Sequence, residues 1–387
     1  MVRLVHTADV HLHPDAPERR EALEAVLDRA DATDADAVTI GGDLFEDEVA
    51  AERLRPDLRS LFSDRPFPIV VIPGNHDREA FEGDVFFGST VHSATAEPFE
   101  HVRIESRTPS ADASAAAARV TCVPYTRDVD DDLLVALRDR DPFDGPEYLL
   151  VHCSLEAPAA TAETGDEEAT RYAPVTRSQL GALDFDAVLA GHYHGANRVG
   201  LPESAPLGSA GSSSTADGGG TFVYPGTPAS VTSAETGRRS LAIVDAAATP
   251  DVSLEALETF HYDELDLVVR PGQADGTIES VREQVATWAD RDVEARILIE
   301  GFVDRDETAF AAALDEAAGD VPLENRTRSV AHLLEHPIYR EFEARLDADI
   351  AIEATERDDH NPEQLVEDAR ERVLAAMADL AAAGELS

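Results

Sequence analysis

The spacing of apolar residues along the chain switches repeatedly between two periods. Residues 4–7 form a short apolar run that reads as a strand, and Ala22, Leu23, Val26, Leu27 and Ala30 then recur at helical spacing. Residues 37–40 predict a second strand, and Leu54, Leu58 and Leu61 a second helix. Residues 68–72 predict a third strand, closed by Pro73-Gly74. Strand, helix, strand, helix, strand predicts an α/β sheet with crossovers on its faces.

Between Phe81 and Pro146 the pattern loosens, with strand-like runs at 101–104 and 120–123 around an Ala-rich insert near 111–118. Residues 147–151 predict a strand ending at His152, and 187–190 one closed by Gly191-His192-Tyr193-His194. Runs at 222–226 and 241–244 finish the sheet. The acidic stretch 156–170 and the Gly/Ser-rich stretch 208–220 read as loops. No Gly-Lys-Ser/Thr ends the latter, so it does not read as a phosphate cradle.

From about Asp251 the pattern is strand 265–269, helix 278–289, strand 295–302 and helix 307–318, a small α/β unit. Two helices follow. One lies near 330–346 with Pro337 as a break, since proline cannot sit inside a regular helix. The other is introduced by Asn361-Pro362, carries Leu365, Ala369, Val373, Met377 and Leu380 on one face and stops before Gly384. The expected organisation is a large domain over 1–250, a small α/β cap over 251–330 and a helical segment over 331–387.

Length and composition support this: 387 residues with 43% hydrophobic content suffice for one large core and a smaller one. Charge changes the picture more. The chain carries 78 acidic against 32 basic residues, a net charge of -46, and every basic residue is Arg. The acids are interleaved with apolar periodicity, so they describe a folded protein of a salt-accumulating cytoplasm rather than a disordered tail. At molar salt the Debye length is about 3 Å, so self-repulsion is screened. Repulsion from phosphates is screened too, and acidity therefore excludes no nucleic-acid partner. Cys122 and Cys153 sit in separate strand-like runs without a CxxC pair and read as buried thiols of a reducing compartment. No apolar stretch approaches the roughly 18 residues of a membrane span, and Met1-Val2-Arg3 runs straight into a strand. A soluble, cytoplasmic protein is expected.

The chemistry gathers just past the strands. Asp9 and His11 follow the first, Asp43 the second, Asn75-His76-Asp77 the third, His152 the strand at 147–151, and His192 and His194 the strand at 187–190. Each has a bland reading: Asp43 a helix cap, His152 a satisfied core histidine, the others polar turns. Together they lie where open α/β sheets place their ligands, at the carboxyl ends of strands. Seven nitrogen and oxygen donors exceed one four-coordinate ion and suit two metals sharing a carboxylate. Asp9, His11 and His194 are assigned to one ion and Asn75, His152 and His192 to the other, with Asp43 bridging. With no Cys in the set, the donors fit manganese, iron or zinc. Two divalent ions against two carboxylates leave a site of about +2 that attracts an anion such as a phosphodiester. His76 is placed to protonate the phosphoryl or leaving oxygen, with Asp77 orienting it.

Asp9-Val10-His11, Gly42-Asp43, Gly74-Asn75-His76-Asp77, His152 and Gly191-His192-Tyr193-His194 resemble the calcineurin-like metallophosphoesterase superfamily. Within it, Ala8 to Leu12, Gly42-Asp43-Leu44-Phe45 and Tyr224-Pro225-Gly226-Thr227-Pro228 look like the SbcD-type nuclease subunit of DNA double-strand-break repair. The resemblance covers roughly residues 1–248 well and the next segment more loosely. It implies a sandwich of two mixed sheets flanked by helices, with a small DNA-contacting cap. It also implies a manganese-dependent exonuclease and endonuclease, a homodimer, and an SbcC-type coiled-coil ATPase docked on C-terminal helices, here the amphipathic helix 362–383. That helix also reads as packing on its own chain. Many members carry His directly after Asp-Leu-Phe. Here the residue is Glu46, which leaves the metal ligands intact and opens the exonuclease–endonuclease balance; its other reading is halophilic surface. Two further readings remain at this stage: a phosphodiesterase for nucleotides or other small diesters, and a non-catalytic scaffold, against which stands the full ligand set.

Overall fold

The computed structural model describes residues 2–83, 85–108, 117–156, 172–202, 219–246, 251–353 and 362–386. Most of the expected loops at 156–170 and 208–220, and of the Ala-rich insert, lie outside them. The chain divides into two compact units, Met1–Tyr262 and Asp263–Ser387.

Strands are numbered in chain order. The first sheet contains β1 (Arg3–Thr7), β2 (Ala37–Ile40), β3 (Ile69–Val71), β4 (Val91–Ser93), β13 (Ser240–Asp245) and β14 (Asp251–Ala256), in the order β14-β13-β1-β2-β3-β4. β1 to β4 are parallel, while β13 and β14 add on antiparallel. The second sheet contains β5 (Glu100–Glu105), β6 (Ala117–Val123), β7 (Glu147–His152), β10 (Ala187–Gly191), β11 (Asn197–Gly200) and β12 (Thr221–Tyr224), ordered β11-β12-β10-β7-β6-β5. Its centre is parallel and both edge strands are antiparallel. β8 (Ser154–Glu156) and β9 (Pro174–Thr176) form a small parallel pair.

Side chains of a strand alternate between faces, so a strand buried on both sides reads as a continuous apolar run. Leu4, Val70, Val120, Leu150 and Leu189 point between the two sheets and form one core. Val5, Val38, Ile40 and Val71 point the other way, onto α1 (Pro17–Ala32) and α2 (Glu48–Ser63), where they meet Leu23, Val26, Leu27, Leu58 and Phe62. Leu149, Val151 and Val188 cover the far face of the second sheet with α3 (Asp131–Arg138) and α4 (Arg177–Gly181), through Leu137 and Leu180. Full burial of such side chains contributes about 1.5–3 kcal/mol each. The expected two-sheet sandwich flanked by helices is therefore the observed fold of the first unit. Its edge lies beyond residue 250, because β14 pairs along its whole length with β13 and continues the first sheet.

The second unit has a three-stranded sheet of β15 (His261–Val269), β16 (Val293–Val303) and β17 (Leu323–Ser329), covered by α5 (Ala274–Trp288) and α6 (Glu307–Ala318). Ile297, Ile299, Val281, Phe310 and Leu314 fill its core. The last helices are α7 (Ala331–Leu334), α8 (Pro337–Glu353) and α9 (Pro362–Ala382). Pro337 begins α8, which is the break its missing N–H imposes. Leu374 and Met377 of α9 are buried with Phe302, Val330, Leu333 and Tyr339, so part of its apolar face packs on its own chain.

Candidate metal centre

All the expected site residues lie at the carboxyl ends of β1, β2, β3, β7 and β10, His152 as the last residue of β7 and the others in the loops that follow. The loops after β1 and β2 are tied by main-chain bonds from Asp9 N to Gly42 O (3.1 Å) and from His11 N to Asp43 O (2.9 Å). Non-glycine residues rarely adopt positive φ, and such strain persists where the surroundings hold it for a purpose. Seven described residues do so, and four are expected ligands: Asp9 (53°), His11 (49°), Asp43 (50°) and His192 (117°). The packing leaves no room behind them. A Cβ on Gly42 would lie 2.4 Å from His152 Nδ1, and one on Gly74 2.1 Å from Asp43 Oδ1.

The donors converge. Asp9, His11 and His194 are buried and offer atoms within 4.8 Å of one another, and so do Asp9, Asp43 and His152. His152 Nε2 lies 2.8 Å from Asn75 Oδ1 and 3.3 Å from Asp43 Oδ2, and the His152 and His192 rings are 5.3 Å apart. The amide of His192 donates to both oxygens of Asp9 at 3.0 Å. Tyr125 and Tyr172, both half-buried, edge the His152 and His192 rings at 6.2 and 5.8 Å.

Two observations show that this set fits cations. His152 Nδ1 is engaged by the Gly41 carbonyl at 2.9 Å and so carries a proton. Its Nε2 then faces two further oxygens, an arrangement satisfied by a second proton or by a metal ion in their midst. Neither ring nitrogen of His11, 2% exposed, makes a hydrogen bond. Carboxylate oxygens of Glu46 and Asp43 lie 3.5 and 4.0 Å from that ring. A buried imidazole among acids with open lone pairs is what an N/O metal site requires.

Comparison with known proteins decides the family. Residues 2–196 match the family model described as Calcineurin-like phosphoesterase. The chain belongs to that family. Among curated relatives, this phosphoesterase is 29% identical over 343 residues to "DNA double-strand break repair protein Mre11" of Haloferax volcanii, covering 82% of its own chain and 65% of the relative. It is 28% identical over 221 residues to the protein of the same description from Halobacterium salinarum, covering 54% and 49%. The matches thus span less than two thirds of either relative's length. Both come from halophilic archaea, in keeping with the acidic composition. Solved structures that the chain matches include the protein TT1561 of Thermus thermophilus (16% identity, 66% of this chain and 98% of that one, TM-score 0.39). "GAP50 the anchor in the inner membrane complex of Plasmodium" is another (8% identity, 66% and 84%, TM-score 0.42). No helix among the described residues is long and apolar enough to cross a membrane.

The electrostatics of the phosphoesterase site follow from burial and neighbours. Burial opposes ionisation of Asp43, but the charge and hydrogen bond of His152 outweigh it and hold Asp43 below the usual carboxylate range. Burial likewise opposes the charge of His152, and Asp43 outweighs it, raising that imidazole to about 9. Burial raises Asp9 against its histidine neighbours. His6, inside β1 three residues before Asp9, is the contrast. Its nitrogens meet Thr39 Oγ1 at 3.0 Å and Ala190 O at 3.2 Å, and burial lowers it to about 4. His6 is a satisfied core histidine.

His76 and Asp77 lie in the loop after β3. The half-buried His76 donates its amide to Asp43 Oδ1 at 2.8 Å, and its ring lies 4.9 Å from that of His11. The Asp77 carboxylate is fully buried and accepts main-chain amides, from Gly74 at 2.8 Å and from Phe45 at 3.2 Å. It braces the loops after β2 and β3 and so fixes the backbone that carries His76.

Sequence reasoning singled out Glu46 but missed its partner Arg19, and missed Glu235 altogether. Glu46 Oε2 accepts from Arg19 at 2.8 Å beside His11, and that imidazole together with Arg19 holds the Glu46 carboxyl at about 2. Glu46 is thus a member of the site, grouped with His11 and His76, rather than free surface. Glu235 accepts from His194 Nδ1 at 2.8 Å. It lies 41 residues from its partner in a stretch with no periodicity. The one usable signal was the preceding Tyr224–Pro228 motif. Tyr224 Oη donates to Cys153 O (2.7 Å) and accepts from Leu155 N (2.9 Å), which pins the chain just past His152.

Proposed function

We propose that this chain is a two-metal DNA nuclease, exonuclease and/or endonuclease, that hydrolyses phosphodiesters in double-strand-break repair. The observation that carries the reading is the convergence, at the ends of five strands, of the buried Asp9, His11, Asp43, His152, His192 and His194 with the half-buried Asn75, and with the half-buried His76 beside them. The substrate rests on the relatives described as DNA double-strand break repair proteins.

In this reading Asp9, His11 and His194 hold one divalent ion, Asn75, His152 and His192 the other, and Asp43 both; manganese is the ion we assign. Bound there, two such ions supply a hydroxide at neutral pH and neutralise charge on the phosphoryl oxygens. The chain's own residues do the rest. His152 is held by the Gly41 carbonyl, so its Nε2 is fixed toward Asn75 and Asp43. Asp43 accepts the His76 amide and thereby sets the distance of that residue from the ligands. His76 gives a proton to the departing oxygen of the cleaved strand. The cap contacts DNA, the protein works as a cytoplasmic homodimer, and an SbcC-type coiled-coil ATPase docks on the side of α9 left open by its own chain, where Leu380 is 41% exposed.

The test is a nuclease assay in molar salt with manganese on blunt, hairpin and single-stranded DNA. Cleavage that disappears in Asp43→Ala is expected. Hydrolysis of a small chromogenic diester without any action on DNA would instead favour a small-molecule phosphodiesterase.

A further inference from the structure

We propose that Glu235 is a positioning residue that fixes the tautomer and orientation of His194 and so sets the affinity of one of the two metal ions; this rests on the metal-centre reading above. Glu235 and His194 are 5% and 3% exposed. Glu235 Oε1 accepts from His194 Nδ1 at 2.8 Å, which puts the imidazole proton on Nδ1 and leaves Nε2 its lone pair. The carboxylate is itself clamped. Oε2 accepts from Val231 N (2.9 Å) and Thr227 Oγ1 (3.2 Å), and Oε1 from Thr232 N (3.2 Å) and Thr232 Oγ1 (3.3 Å).

The backbone of His194 is held as firmly as its ring. Arg239, also buried, donates to His194 O and, at 3.3 Å, to Thr227 O and Glu235 O, while Thr227 N donates to His194 O at 3.1 Å. A buried carboxylate is costly unless its partners use it, and here it stands directly behind an expected ligand. A charged acceptor on the far nitrogen makes an imidazole a more basic ligand and locks its ring. His152 has a neutral carbonyl in the equivalent place, so the two sides of the centre are supported unequally. The segment from Tyr224 to Arg239 is, on this account, the scaffold of the ligand histidines.

Manganese binding to the full chain in molar salt, read from the EPR signal of the free ion, tests this. The wild type should bind two ions. Glu235→Gln, which keeps the side chain's shape and removes its charge, should weaken one of them about 10–100-fold and leave the other unchanged. Glu235→Asp should recover part of the loss, and turnover of the Gln variant should return as manganese is raised. Thr227→Val, which removes one of the two donors to Glu235 Oε2, should weaken the same ion to a lesser degree and serves if Glu235→Gln fails to fold by circular dichroism. A folded Glu235→Gln, or Thr227→Val, that binds both ions like the wild type overturns the inference. A wild type that binds fewer than two ions overturns the metal-centre reading itself, and the inference with it.

Discussion

Acidic residues obey opposite rules in the two units. In Met1–Tyr262, Asp9, Asp36, Asp43, Asp77 and Glu235 are buried, and each accepts hydrogen bonds from the main chain. In Asp263–Ser387 no acid or histidine is buried among the described residues. There the acids stand on the surface beside arginines, as in Glu341–Arg345 and Asp379–Arg328. Both units alternate strands with helices, and both carry the acidity of the whole chain. Burial, not composition, therefore separates Asp9, Asp43, Asp77 and Glu235 from the surface acids. A buried carboxylate must be stabilised by something, and for these four the stabilisers gather around the metal centre, whereas Asp36, just before β2, is held by the Arg3 and Arg107 amides away from it.

Breaking the buried side of this comparison should have the largest effect. Asp43→Ala removes the carboxylate that the proposed assignment gives to both ions, and DNA cleavage should fall by at least about 1,000-fold, measured with manganese in molar salt. Next comes His76→Ala, which on the proposed reading deletes a proton donor and no ligand. Turnover should drop about 100- to 10,000-fold while elemental analysis still finds two ions per chain. Unchanged turnover would remove His76 from the chemistry.

A smaller, graded effect comes from pH. In the metal-free chain His152 is raised to about 9, so below that pH an incoming ion must displace its proton. Affinity should rise about tenfold per pH unit up to about 9 for the ion His152 holds, with proton release seen by calorimetry in buffers of different ionisation heat. The sign for stability is opposite. A raised imidazole stabilises the fold fully below its unfolded value and loses that contribution as pH climbs through about 9. Melting of the metal-free chain should therefore worsen over that window, and Asp43→Ala should flatten the slope.

The smallest effect sharpens the contrast from the other side. Glu341→Gln in α8 removes one partner of an exposed i,i+4 pair, and in molar salt neither melting temperature nor manganese stoichiometry should change. A measurable loss would show that the acids of the second unit do more than solvate it.

What was legible in the sequence is local. Each donor sits within a few residues of a strand whose apolar run announces it, so Asp9, His11, Asp43, Asn75, His152, His192 and His194 were readable one strand end at a time. The helix Glu307–Ala318 was readable for the same reason, its apolar residues recurring within a single element. The rest depends on contacts distant in the chain. β14 reads as half-exposed because it is an edge strand, and pairing with β13 is what makes it part of the sheet. Glu235 became a site residue through a turn that brings it to His194, and Glu46 through Arg19, 27 residues away. Asp77 was singled out in the sequence, yet its bonds to Gly74 and Phe45 amides depend on how two loops pack.

The most direct test of the central claim is anomalous diffraction from crystals of the full chain equilibrated with manganese. The account expects two peaks about 3.5–4 Å apart, both at Asp43, one among Asp9, His11 and His194 and the other among Asn75, His152 and His192. A single peak, or peaks elsewhere in the chain with this cluster empty, would contradict it.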